Sequence, residues 1–195
     1  MKIVIIKYNA GNIQSVLFAL KRIGFDAIIS DHADEIKSAD KVIFPGVGEA
    51  SSAMIHLKEK KLDELIVQLK QPVLGICLGM QLMCSFSEEG NTKCMSIFDE
   101  KVVRFQSNKN FKVPHVGWNT INHLKSPLFI DIKENEFMYF VHGYYVQQSS
   151  LAIASTNYGL AYTSALAKNN FYGVQFHPEK SGIAGEKIIK NFLLL

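Results

Sequence analysis

The sequence is poor in the features that mark a disulfide framework, a membrane span or a nucleic-acid stripe. Its three cysteines, Cys77, Cys84 and Cys94, are odd in number and form no CxxC pair. Neither a disulfide set nor a zinc knuckle is indicated, and the six histidines show no metal-ligand spacing with them. No apolar run approaches the roughly 18 residues that span a bilayer. The opening MKIVIIKYNAGN lacks the longer apolar region and small-residue cleavage site of a signal peptide. Net charge is only +3 and the lysines are scattered, so no basic stripe or membrane-surface helix stands out. These absences predict a reduced, cytoplasmic protein with neither nucleic acid nor membrane as partner.

What is present suits a globular core. Hydrophobic residues make up 48% of the 195 and charged ones 20%, enough to predict one domain over residues 1–195. Short runs rich in Ile, Val and Phe alternate with helical patterns in the first half. KIVII, DAIIS, KVIFPG and PVLGI read as strands; NIQSVLFALKRIG, SAMIHLKEKKLDELIVQLK and LGMQLMCSF read as helices. The second half reads as strands KVVRFQ, VPHVGWNTI, EFMYFVHGYYV, LAIAST and FYGVQF, closed by the helix AGEKIIKNFLLL. Alternation of this kind predicts an α/β fold with a mixed sheet and helices on both faces.

Gly75-Ile76-Cys77-Leu78-Gly79 has the form G-x-C-x-G, the thiol counterpart of a nucleophile elbow. A helix starting just after Cys77 favours thiolate over thiol, and the Leu78 N–H points toward where an oxyanion would form. Taken alone the pattern is equally that of a buried structural cysteine. Cys84, two helical turns on, reads as packing.

A nucleophilic cysteine needs a base, and the base an orienting group. His177 follows an apolar strand in GVQFHPEKSG, and Pro178 biases it toward an extended backbone. Glu179, two residues on, can then face the same way and hold the imidazole. A surface His-Pro-Glu turn is the alternative for that tripeptide alone. FPGVGEA, residues 44 to 50, lacks the GK[ST] of a phosphate loop. At the carboxyl edge of a parallel sheet its Val47 N–H could complete an oxyanion hole with Leu78; a plain tight turn is the other reading.

The set PGVG, LGICLGMQ, KVPHVGWN, YFVHGYY and GVQFHPEKSG resembles the class I (triad) glutamine amidotransferases. More narrowly it resembles their imidazole glycerol phosphate synthase glutaminase subunits, from GNIQSV near the start to KNF near the end. The resemblance implies a flavodoxin-like, mainly parallel sheet and hydrolysis of L-glutamine to glutamate and ammonia, with no cofactor and no metal. Cys77 would attack the side-chain amide, His177 would shuttle protons, and Glu179 would orient His177. Gly46, Val47 and Gly48 would frame the substrate, with Gln81 and the backbone of His142, Gly143 and Tyr144 at its amino-acid end. The implied partner is a (βα)8 cyclase/synthase subunit forming a heterodimer, with Asn12, Tyr139 and Lys180 on the meeting face. There the ammonia would be used in making imidazole glycerol phosphate and AICAR in histidine biosynthesis. His115 and Trp118 read as packing or interface residues. Two departures stand out: Lys7-Tyr8 replaces the usual Asp-Tyr, and Gly143 stands where a hydroxyl residue is common. They leave open a paralogous role, ammonia supply for amidation of a surface sugar.

Overall fold

The computed structural model describes residues 1–9, 12–106 and 112–195; Gly11, at the start of the GNIQSV match, lies outside them. In chain order the elements are β1 Ile3–Ile6, α1 Ile13–Arg22, β2 Ile28–Ser30, α2 Ala33–Lys37, β3 Lys41–Gly46, α3 Ala50–Glu59, α4 Leu62–Gln68, β4 Val73–Cys77 and α5 Leu78–Met83. There follow β5 Phe86–Ser87, β6 Thr92–Lys93, β7 Lys101–Arg104, β8 His115–Ile121, β9 Glu136–His142, β10 Tyr144–Val146, β11 Ala152–Asn157, β12 Ala161–Lys168, β13 Phe171–Val174 and α6 Gly182–Leu194.

Why the first half makes a parallel sheet is visible in its burial. Every residue of β1, β3 and β4 is buried, as strands covered on both faces must be. Val4 and Ile6 enter one apolar cluster with Met54, Leu57 and Leu82, while Ile3 and Ile5 enter another with Val16, Leu20, Ile188 and Phe192. Alternate residues thus point to opposite layers, α3, α4 and α5 on one side and α1 and α6 on the other. Each large side chain so buried contributes about 1.5–3 kcal/mol.

The main sheet runs β2-β1-β3-β4-β13-β12-β10-β7-β5-β6, with β11 paired to β12. Strands β2, β1, β3, β4 and β13 are mutually parallel; β12, β10 and β11 are joined antiparallel. The sheet is therefore mixed, with helices on both faces. Strand β13 is the piece that matters for function. Val174 is level with Ile76 on β4, so the chain after β13 emerges at the same sheet edge as Cys77.

One expectation needs correction, and two further elements were not read from the sequence. EFMYFVHGYYV is two strands, because the chain changes sheet at Gly143: β9 pairs with β8 in a separate two-stranded ribbon, and β10 joins the main sheet. The apolar and aromatic run resumes directly after Gly143, so the break carries no mark. Strand β12, AYTSALAK, has only Tyr162 and Thr163 of the residue types that mark a strand; its pairing with β10, β11 and β13 decides its conformation. Helix α2 is a single short turn-and-a-half that buries only Ile36. Among the described residues no helix is long and apolar enough to cross a membrane.

Candidate active site

Cys77 ends β4 and is followed at once by α5, with φ 53° and ψ −110°. A non-glycine residue there is strained, and strain at a strand-to-helix bend is what aims an elbow side chain. The flanking glycines permit the bend. A β-carbon on Gly79 would lie 1.9 Å from the Phe44 carbonyl oxygen, and one on Gly75 2.9 Å from the Met80 nitrogen. Only bare backbone fits between β3, β4 and α5.

His177 reaches Cys77 because β13 lies beside β4 in parallel register. Cys77 and His177 line one cavity, and the sulfur favours the charged form of the His177 ring. On its far side the ring donates from Nδ1 to Glu179 Oε1 at 2.8 Å, both side chains being buried. Burial works against a charged ring, but the sulfur and then Glu179 outweigh it, holding His177 up at about 10. The same Glu179 oxygen accepts from Asn12 Nδ2. Asn12 therefore touches the Cys-His-Glu cluster directly, at the end of α1.

The sulfur opens into a cavity of about 280 Å³. Val47, Gly48 and Leu78 line one side, with Gln81, His142, Gly143 and Tyr144 at another, and Lys180 at the rim. Gly46 lies beneath rather than on the wall, packed against the Tyr8 hydroxyl and Leu78. Tyr139 does not line the cavity; its carbonyl accepts from the His177 N–H at 2.8 Å. The carbonyls of the 143–144 segment are taken, Gly143 by the Phe105 N–H and Tyr144 by His142 Nδ1 and Gln81 Nε2. His142 is neutral, held down at about 3 by burial, and its neighbour His115 at about 4 for the same reason.

Sequence reasoning missed Glu89, the one carboxylate on the cavity wall among the described residues. Its Oε2 accepts from the Ala50 N–H at 2.9 Å, and burial pushes its carboxyl upward. Nothing local separates it from Glu88; only the turn that brings it under α3 does. Gln175 was missed too, though it sits inside the quoted QFHPE. Chemically the arrangement offers a sulfur nucleophile, a proton carrier with its orienting carboxylate, and a mainly apolar cavity whose wall carries the Glu89 carboxylate.

Trp118 is exposed on the ribbon, opposite Tyr139. Val116, Phe137 and Val141 are exposed beside it, and alternation puts all of them on one face. His115 is buried on the other face. Among the described residues no group of His, Cys, Asp and Glu could hold a metal ion.

The model for glutamine amidotransferase class-I matches residues 4–195. The imidazole glycerol phosphate synthase subunit HisH of Bacteroides fragilis strain YCH46 is 61% identical over the whole of both chains. The subunit of the same name from Haemophilus influenzae strain Rd is 47% identical over 99% of this chain and 97% of its own. Among solved structures, a glutamine amidotransferase superposes with TM-score 0.77 at 14% identity, covering 100% of this chain and 98% of that one. PurLQS from Thermotoga maritima superposes with TM-score 0.73 at 15% identity, covering 99% and 97%.

Proposed function

The chain belongs to the class-I glutamine amidotransferase family, and we propose that it is the glutaminase subunit of an imidazole glycerol phosphate synthase. It hydrolyses L-glutamine to glutamate and ammonia and passes the ammonia to a (βα)8 synthase subunit in histidine biosynthesis. The observation that carries this reading is Cys77 and His177 on the wall of one cavity, with the His177 ring hydrogen-bonded to Glu179 and its charge favoured by the sulfur. Full-length identity of 61% to a HisH subunit supports the pathway over sugar amidation.

In the reaction the Cys77 sulfur attacks the side-chain amide carbon. The C–N bond breaks as His177 gives its proton to the leaving nitrogen, and ammonia departs. Water then attacks the thioester, losing a proton to His177, and glutamate leaves with Cys77 restored. The Leu78 and Val47 N–H groups serve the oxyanion, and Gly46 and Gly48 leave the backbone room to approach it. Glu89 pairs with the α-ammonium. Gln81 faces the substrate as an acceptor, because both hydrogens of its Nε2 are already given to Tyr144 and Gln175.

The synthase subunit docks on the apolar ribbon face around Trp118, next to Lys180 at the cavity rim. A patch of Val, Trp, Phe and Tyr beside an active-site mouth suits a partner that receives ammonia away from bulk water. The assembly works in the cytoplasm. The test is Cys77→Ala in the reconstituted complex: glutamine-dependent synthesis is lost and ammonium-dependent synthesis remains. Persisting glutamine-dependent turnover would overturn the assignment.

A further inference from the structure

A chain of buried amides runs from the cavity wall to the sulfur. Gln81 Nε2 donates to the Tyr144 carbonyl at 3.1 Å and to Gln175 Oε1 at 2.8 Å. Gln175 Nε2 in turn lies 3.7 Å from Cys77 Sγ, within reach of an N–H···S hydrogen bond. Gln175 is 0% and Gln81 4% exposed. The direction of the chain is forced. A backbone carbonyl can only accept, so the Gln81 atom facing Tyr144 is the NH2 group. The Gln175 atom facing that NH2 must then be oxygen, which turns the Gln175 NH2 toward the sulfur.

We propose that Gln175 is a positioning residue for the nucleophile: its side-chain amide donates to Cys77 Sγ and ties the sulfur, through Gln81, to the substrate-binding end of the cavity. The inference rests on the reading of Cys77 as nucleophile. Two neighbours pull the sulfur in opposite senses. The Val141 carbonyl, 3.7 Å from Sγ, accepts a hydrogen bond from the thiol and so favours the protonated form. Gln175 favours the anion, since an amide N–H gains strength when its acceptor becomes charged. Unlike His177, an amide does not titrate, so it remains a donor at every pH. The titratable groups facing the sulfur are His177 on the chain after β13, Tyr8 after β1 and Tyr162 on β12, the two phenols kept protonated by burial. His142, Glu89 and Lys180 share the cavity. Substitution at Gln175 leaves all of them in place.

The test reads Cys77 directly, without turnover. Alkylation of Cys77 by iodoacetamide is followed against pH in the parent, Gln175→Leu and Gln175→Glu. The Leu variant should react about tenfold more slowly at neutral pH, as expected for losing a hydrogen bond to a charged group, with its midpoint at higher pH. The Glu variant should be slower still, because it turns an oxygen toward the sulfur. A loss of packing alone would lower the melting temperature without moving the midpoint. In the unsubstituted chain the Gln175 side-chain amide resonances should move downfield as Cys77 ionises, a measurement that needs no variant. Superimposable alkylation profiles in a folded variant, or amide resonances that ignore the sulfur, would overturn the proposal. A parent whose Cys77 fails to alkylate would instead sink the nucleophile reading.

Discussion

His177 donates from Nδ1 to Glu179 Oε1 at 2.8 Å with both side chains buried, and the Cys77 sulfur further favours the charged ring. The folded value, about 10, lies above the ordinary 6.5. The fold therefore binds a proton that the unfolded chain releases between those two values. The stability this gives is complete below about 6.5 and is lost as pH rises through about 10. Two measurements check it. Urea unfolding midpoints should fall between pH 7 and 10, and the His177 titration followed by NMR should move to lower pH in Cys77→Ala. An unmoved titration would show that the sulfur does not hold the ring.

Tyr8 carries a buried hydroxyl with no hydrogen-bond partner among the described residues. The ring packs tilted against Phe44, centroids 5.1 Å apart. Tyr8→Phe removes a desolvated polar atom and keeps the packing, so it should stabilise the protein by about 1–2 kcal/mol. Chemical denaturation measures this; a loss of stability would mean that the hydroxyl is satisfied.

Gly79→Ala should be severe. The new methyl would sit 1.9 Å from the Phe44 carbonyl oxygen, and backbone on both sides has no rotamer to yield. A loss of about 3 kcal/mol or more, with disruption of the elbow, is expected. Calorimetry and Cys77 alkylation read the two effects.

Glu89→Gln tests the amino-acid end of the cavity. Removing the carboxylate that faces the α-ammonium should raise KM for glutamine by about tenfold to a hundredfold, the range of 1.4–3 kcal/mol for a charge-assisted bond. The reacting atoms are untouched, so kcat should change much less. Steady-state kinetics in the complex separates the two. An unchanged KM would remove Glu89 from the binding role.

Much of this was legible in the sequence, for identifiable reasons. G-x-C-x-G announced the bend because only glycine survives the close approach of Phe44 and Met80 to that backbone. HPE paired His177 with Glu179 because two residues along an extended chain share a side. That Cys77 meets His177 depends on β13 lying next to β4, a long-range pairing that no local pattern encodes; the family resemblance supplied it. Glu89 and Gln175 were not legible. One is placed by a turn folded under α3, and the other is read through contacts with Gln81 and Cys77 that adjacency in sequence does not reveal. The sheet change at Gly143 was hidden because apolar and aromatic residues flank it on both sides.

The most direct measurement is the mass of the chain after incubation, with the synthase subunit present, with an electrophilic mimic of glutamine. A nucleophilic sulfur in this cavity predicts one adduct, on Cys77, abolished by Cys77→Ala and slowed by excess L-glutamine. An adduct on Cys84 or Cys94, or none at all, would contradict it.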